Sequence, residues 1–185
     1  MDLFQYPKIS PLEYACLMGC CIPTGWGSVT NSVDVKPGDK VVLYGTGGVG
    51  LNLLRACVLR QADPVIVVDI GENKGDLAME FSATHFICNK DDDPVPKIKE
   101  ITGEGADVVF EAIGVPGALV QTFWSVGMNG KIVIPGITPH NRTTKLPLQT
   151  LPFNQKSILI LLYTGINFTI KIVFRKNLQP RLFQT

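Results

Sequence analysis

KVVLYGTGGVG, Lys40 to Gly50, is the stretch whose reading decides the fold. Val41-Val42-Leu43-Tyr44 is an apolar run with the length of a buried strand. It ends in Gly45-Thr46-Gly47-Gly48-Val49-Gly50, a G-x-G-x-x-G turn, and a helical stretch follows to Gln61. In such a turn the first glycine permits the tight bend, the second lets backbone approach a pyrophosphate, and the third lets helix pack on strand. The helix start then offers free N–H groups and a positive dipole end to phosphate. A second apolar run, Val65 to Val68, ends in Asp69, about 20 residues past the turn, where the dinucleotide fingerprint places a carboxylate for the ribose hydroxyls. The alternatives are a tight glycine turn in an ordinary α/β sheet, or a methyltransferase-type nucleotide fold.

Outward from that centre the chain alternates. Strands are predicted at 40–44, 65–69, 85–88, 107–111, 131–135 and 157–163, with helices at 49–61, 72–81, 94–101 and 116–127 between them. Strands spaced by helical segments call for parallel pairing with right-handed crossovers. The expectation is therefore an α/β protein with a Rossmann, doubly wound, six-stranded parallel sheet and a short helical lead-in. The lead-in carries a helix start at Ser10-Pro11-Leu12-Glu13, an interruption at Gly19 to Pro23, and a second helix from Thr24 to about Ser32. Residues 137–156 read as a long loop, and Asn167 to Lys176 as one helix. The domain division expected is a lead-in over 1–34, a dinucleotide-binding domain over 35–164, and a divergent tail over 165–185.

Composition narrows the class. The 185 residues are 45% hydrophobic, enough for a sizeable core, and the net charge is +1 from 17 basic and 16 acidic residues. No basic stripe interleaved with aromatics points to nucleic acid. The start, Met1-Asp2-Leu3, lacks a charged region followed by an apolar one, and the longest apolar run, Ile158 to Tyr163, is too short for a bilayer. Five cysteines, mostly within apolar patterns, suit free thiols in a reducing cytosol. The expectation is a cytoplasmic chain with neither membrane nor nucleic-acid partner. Asp91-Asp92-Asp93 is read as a solvated helix cap, and His85 and His140 as packed or solvated residues.

Taken together, PLEYACLMGCCIPTGWGSV (11–29), VKPGDKVVLYGTGGVGLN (35–52), VIVVDIGENK (65–74), GADVVFEAIG (105–114) and GKIVIPGI (130–137) resemble the medium-chain, zinc-dependent alcohol dehydrogenases. The motifs stand in that family's order and spacing, over about residues 8–163. The resemblance falls on the family's cofactor-binding domain. It implies an oxidoreductase passing hydride between an alcohol or aldehyde and NAD. It implies a pyrophosphate turn at Gly45, Gly47, Gly48 and Gly50, with Val49 against the nicotinamide ring and Thr24 beside its carboxamide. Asp69 and Lys74 match ribose contacts, Ile113 and Gly114 an adenosine wall, and Pro135, Gly136 and Ile137 a strand end beside the nicotinamide ribose. An acid at Asp69 repels a 2′-phosphate and favours NAD over NADP. Cys20, in Leu17-Met18-Gly19-Cys20, matches one thiolate of the catalytic zinc.

The family's first half has no counterpart here, so its other two zinc ligands, its proton-relay hydroxyl and its four-cysteine lobe are not found in this sequence. Zinc is therefore expected only with a complete catalytic half. No catalytic residue is assigned, and the chain is expected to be incomplete as a catalyst on its own. The alternative reading is a catalytically silent module that holds NAD(H) or forms a homodimer. Ser157 to Tyr163, read as an uncovered edge strand, is the expected pairing surface.

Overall fold

The computed structural model describes residues 17–147, 149–161 and 169–173, with backbone alone for 161 and 169–173. The lead-in helix α1 (Cys21–Gly27) runs straight into a π-helical turn (Ser28–Ser32). Then come β1 (Val41–Tyr44), α2 (Gly48–Leu59), β2 (Val65–Asp69), α3 (Lys74–Glu80) and β3 (His85–Cys88). After the crossover come α4 (Val95–Thr102), β4 (Ala106–Glu111), α5 (Pro116–Ser125) and β5 (Val126–Ile134). The described chain closes with α6 (Thr150–Asn154), β6 (Ser157–Leu161) and β7 (Thr169–Val173).

Among the described residues, one sheet holds all the strands in the order β3-β2-β1-β4-β5-β6-β7. The first six run parallel, as the alternating sequence requires. Residues that alternate along a strand point to opposite faces, and both faces here are covered. Val41, Leu43, Val65, Val67, Val108 and Phe110 pack with Val29, Leu53 and Leu54 beneath α1 and α2. Val42, Tyr44, Ile66, Val68 and Val109 pack with Ile98, Phe123 and Leu151 from α4, α5 and α6. Two-sided burial is why β1 and β2 are continuous apolar runs rather than alternating ones. The chain crosses from β3 back over β1 to β4, so the carboxyl ends of β1 and β4 diverge at the switch point and open a crevice.

Tertiary context changes four sequence expectations. The second lead-in helix begins at Cys21 rather than Thr24, and the helix start at Ser10 lies outside the described residues. The predicted loop 137–156 contains α6. β5 begins at Val126, before Gly130, because its pairing with β4 jumps from Ala106–Val126 to Val108–Lys131 while Asn129 takes a left-handed φ of 59°.

The fourth change is at the tail, where the helix expected over 167–176 is instead β7, antiparallel to β6 from Ser157–Val173 to Leu161–Thr169. Thr169-Ile170-Lys171-Ile172-Val173 is mostly β-branched, which favours a pleated strand over a helix. This corrects the reading of 157–163 as an uncovered edge. The outer backbone groups of Ser157 to Leu161 are already paired within the chain, and residues 162 and 163 lie outside the described ones. Within the 165–185 segment, the described residues Thr169 to Val173 form this strand.

Candidate functional site

The crevice is built from the turn upward. Gly45 leaves β1 with φ +99°, a left-handed conformation open to glycine, and its N–H is held by the Val68 carbonyl at 2.8 Å. Gly50 packs against that bend: a Cβ there would lie 2.0 Å from the Gly45 oxygen. Gly47 faces open space, with nothing within 4 Å of where its Cβ would be. It also precedes α2, a helix of 12 residues whose start carries no side-chain cap. The first N–H groups of α2 are therefore free to receive an anion. Such a cradle fits a dinucleotide's pyrophosphate.

Asp69 closes one side of the crevice. Its Oδ2 accepts from the Thr46 N–H at 2.8 Å and the Thr46 hydroxyl at 2.5 Å, and its Oδ1 accepts from the Gly71 N–H at 3.0 Å. Burial alone would push this carboxyl up. The Thr46 hydroxyl, the Gly71 and Thr46 N–H groups and the Lys74 ammonium outweigh it, and the net shift is below the ordinary carboxylate value. Asp69 is thus an anion at neutral pH, fixed in orientation, with lone pairs to spare for hydroxyl donors.

On the other side, at the end of β4, Glu111 sits buried behind the lining residues Ala112 and Ile113 and is 1% exposed. Its Oε1 accepts from the N–H groups of Ile113 at 2.9 Å and Gly114 at 2.7 Å. Burial pushes the Glu111 carboxyl up, and the Gly114, Ile113 and Val115 N–H groups only partly offset that. The Glu111 carbonyl takes the Gly136 N–H at 2.9 Å, so one residue ties the 113–115 bend to the end of β5. Gly114, with φ +80°, lies so close to Ile137 that a Cβ would meet its oxygen at 2.3 Å.

Between these walls lies a cleft of about 580 Å³, within the range of small-molecule and cofactor sites. Of the sequence-predicted residues, Gly45, Gly47, Asp69 and Ile113 line it. Gly48, Val49 and Gly50 form the helix start behind the turn. Lys74 stands in α3, close enough to influence the Asp69 charge. Gly114, Pro135, Gly136 and Ile137 shape the far wall without lining the cleft, although Ile137 is 81% exposed. Thr24 is in α1 and also off the cleft; its carbonyl accepts the Ser28 hydroxyl at 2.7 Å.

The sequence singles out neither Asn89 nor Gln121; Thr46 stands in the turn with no role of its own, and Glu111, which follows a strand as a salt-bridge partner or cleft residue, is assigned none. Asn89 and Gln121 line the cleft and bond to each other at 3.2 Å. Position at a strand's carboxyl end was the available signal for Asn89. Nothing local marks Gln121.

The zinc expectation has less support. Cys20 is exposed and precedes α1. Among the described residues no three His, Cys, Asp or Glu side chains group as a metal site. One thiol does not make a four-coordinate centre, so these residues by themselves do not fit zinc. His85 bonds the neighbouring Thr84 hydroxyl at 2.9 Å, and Asp93 accepts from the Val95 N–H at 3.2 Å, as a local cap. Among the described residues no helix is long and apolar enough to cross a membrane.

Comparison with known proteins agrees with this geometry. The zinc-binding dehydrogenase family matches residues 48–175. A putative alcohol dehydrogenase D of Mycobacterium tuberculosis is 34% identical over 167 residues, covering 88% of this chain and 45% of that protein. The crystal structure of benzyl alcohol dehydrogenase from Acinetobacter calcoaceticus superposes with a TM-score of 0.81 at 36% identity, over 86% of this chain and 44% of that one. A putative zinc-binding dehydrogenase from Sinorhizobium meliloti, bound to NADP, gives a TM-score of 0.69 at 25% identity, over 75% and 41% of the two chains. The chain spans less than half the length of each of these proteins. With the fold, the cleft and these matches together, the chain belongs to the zinc-binding dehydrogenase family, among the medium-chain alcohol dehydrogenases, and covers its cofactor-binding half.

Proposed function

We propose that this chain binds NAD(H), in preference to NADP(H), as the cofactor bed of an alcohol dehydrogenase. The observation that carries the reading is the Asp69 carboxylate. It is held ionised by Thr46 and Gly71 beside the open glycine turn and free helix start. An anion there accepts bonds from two ribose hydroxyls and repels a 2′-phosphate. Lys74 stands near the same ribose. The turn residues, Gly45 to Gly50, take the pyrophosphate, and Ile113 and Gly114 flank the adenosine. Val49, Thr24 and the 135–137 segment are proposed on the nicotinamide side.

When bound, the nicotinamide ring supplies the hydride acceptor or donor. The chain's own residues bind, orient and desolvate it. Zinc enters this proposal only with a complete catalytic half, to which Cys20 would add one thiolate. Free thiols at Cys20, Cys21, Cys57 and Cys88 support a cytoplasmic setting.

A second reading is a silent NAD(H)-binding module, in which the glycine turn and Asp69 hold the dinucleotide without a reaction. A homodimer built through β6 would have to displace β7, so self-association is proposed only as a reading for light scattering.

Titrating the chain with NADH and NADPH, followed by energy transfer from tryptophan, tests the binding reading. NADH is expected to bind at least about tenfold tighter, a difference of about 1.4 kcal/mol. Asp69→Ala should erase most of that preference. Equal affinities in the parent chain, or no binding by a folded chain, would overturn it. Alcohol-dependent NAD reduction by the chain alone, at about 1–1000 per second, would refute its catalytic incompleteness.

A further inference from the structure

Away from the cofactor cleft, the opposite end of α5 holds a buried cation without an acid partner. Lys156 opens β6 and is 5% exposed. Its Nζ donates to the Phe123 carbonyl at 3.0 Å, in the last turn of α5, where the helix dipole favours a positive charge. Its other neighbours are ring faces, 4.8 Å to the Phe123 centroid and 5.8 Å to that of Trp124. An ammonium has three donors, and among the described residues the Phe123 carbonyl is the one hydrogen-bond acceptor of Lys156 Nζ. No ion pair reaches Lys156 among the described residues.

A cavity of about 180 Å³ is lined in part by Lys156. Its polar lining is Lys156, Lys99, Asn154 and Glu104, so the cations outnumber the carboxylate. Its apolar lining includes Trp124 and Met128, which are 40% and 60% exposed. Trp124 is therefore available to a ligand. Burying an unpaired ammonium is unfavourable. Burial, and then the charge of Lys99, depresses Lys156 to about 8. A bound anion would relieve both.

We propose that this cavity binds a small organic monoanion, a carboxylate whose head pairs with Lys156 and Lys99 and whose apolar part rests on Trp124 and Met128. The site is independent of the cofactor reading, although Gly117, Ala118 and Gln121 of the same helix line the cofactor cleft. The competing account gives Lys156 a purely structural role as the cap of α5.

Calorimetric titration with benzoate, against chloride at equal ionic strength, separates the two. NMR of the lysine ε-carbons follows the Lys156 midpoint in the same samples. Saturable benzoate binding on the order of 1 mM is expected, with none from chloride. The Lys156 midpoint should rise when benzoate is bound. Lys99→Gln should weaken benzoate about tenfold, and Lys156→Met should abolish binding. If Lys156→Met does not fold, Lys99→Gln and the Lys156 midpoint decide the matter. Non-saturable heats, equal responses to chloride, an unmoved Lys156 midpoint, or unchanged binding by Lys99→Gln would each overturn the proposal and leave Lys156 as a helix cap.

Discussion

Replacing Gly50 by alanine tests whether the glycine turn is held together by close backbone packing. The new methyl carbon would sit 2.0 Å from the Gly45 oxygen and 2.8 Å from the Gly45 carbonyl carbon. Ordinary contact begins at 3.4 Å, so α2 must retreat by the difference, 3.4 − 2.0 = 1.4 Å. The obstacle is backbone, and Gly45 is itself tied to Val68 at 2.8 Å, so neither side yields cheaply. Overpacking costs about 1–3 kcal/mol, and a backbone obstacle belongs near the top of that range. Alanine's better helix propensity returns about 1 kcal/mol. The net loss is about 2 kcal/mol. For a chain of this size each kcal/mol moves Tm by about 2–4 °C, so Tm should fall by about 4–8 °C.

The control is Gly47→Ala. Its φ of −74° suits any residue and its Cβ would meet nothing. Stability should change by less than about 0.5 kcal/mol. NADH should still bind at least about tenfold more weakly, because the methyl occupies the cradle. Scanning calorimetry and NADH titration on both variants give the answer. A Gly50→Ala protein melting within about 1 °C of the parent would refute the packing argument. A Gly47→Ala protein with unchanged NADH affinity would refute the cradle.

Other outcomes follow from the same contacts. Thr46→Val removes the hydroxyl bond to Asp69, and should raise that carboxyl toward its ordinary value while costing about 1 kcal/mol, with Thr46→Ser restoring both; carboxylate NMR and urea melts read the two effects. Tyr44→Phe deletes a buried bond to the Ser125 oxygen of 2.7 Å, and should lower stability by about 1 kcal/mol in urea unfolding. Ser125→Ala should cost more, because it strands the buried Tyr44 hydroxyl.

The Lys156 midpoint of about 8 lies below its ordinary 10.5, so the unfolded chain binds more protons between those values. This group's contribution to stability is therefore complete above 10.5 and lost as pH falls through about 8. Stability differences between parent and Lys156→Met should shift across that window. The comparison between proteins is needed because Cys57 and Tyr44, both pushed up by burial, act in the opposite direction at high pH.

Sequence alone determined what rests on short-range pattern. The apolar runs at Val41 and Val65, the helical stretches between strands, the glycine turn and Asp69 are local features. Each has a period or spacing that sterics impose, and together they dictated six parallel strands and a nucleotide-type crevice. The roles of Thr46, Glu111 and Lys156 depended on tertiary structure, because they are set by partners far along the chain or by burial. Thr46 reaches Asp69 across β1 and β2. Glu111 follows a strand and could serve as a salt-bridge partner or a cleft residue; burial and its bonds to the Ile113 and Gly114 N–H groups make it the clasp of the 113–115 bend. Nothing local in the sequence marks Lys156; its burial and its bond to the Phe123 carbonyl of α5 arise from tertiary packing. β7 shows both sides: its β-branched residues already favour a strand locally, but its place beside β6 is decided by the tertiary structure, because backbone groups at that edge gain partners only from a distant segment.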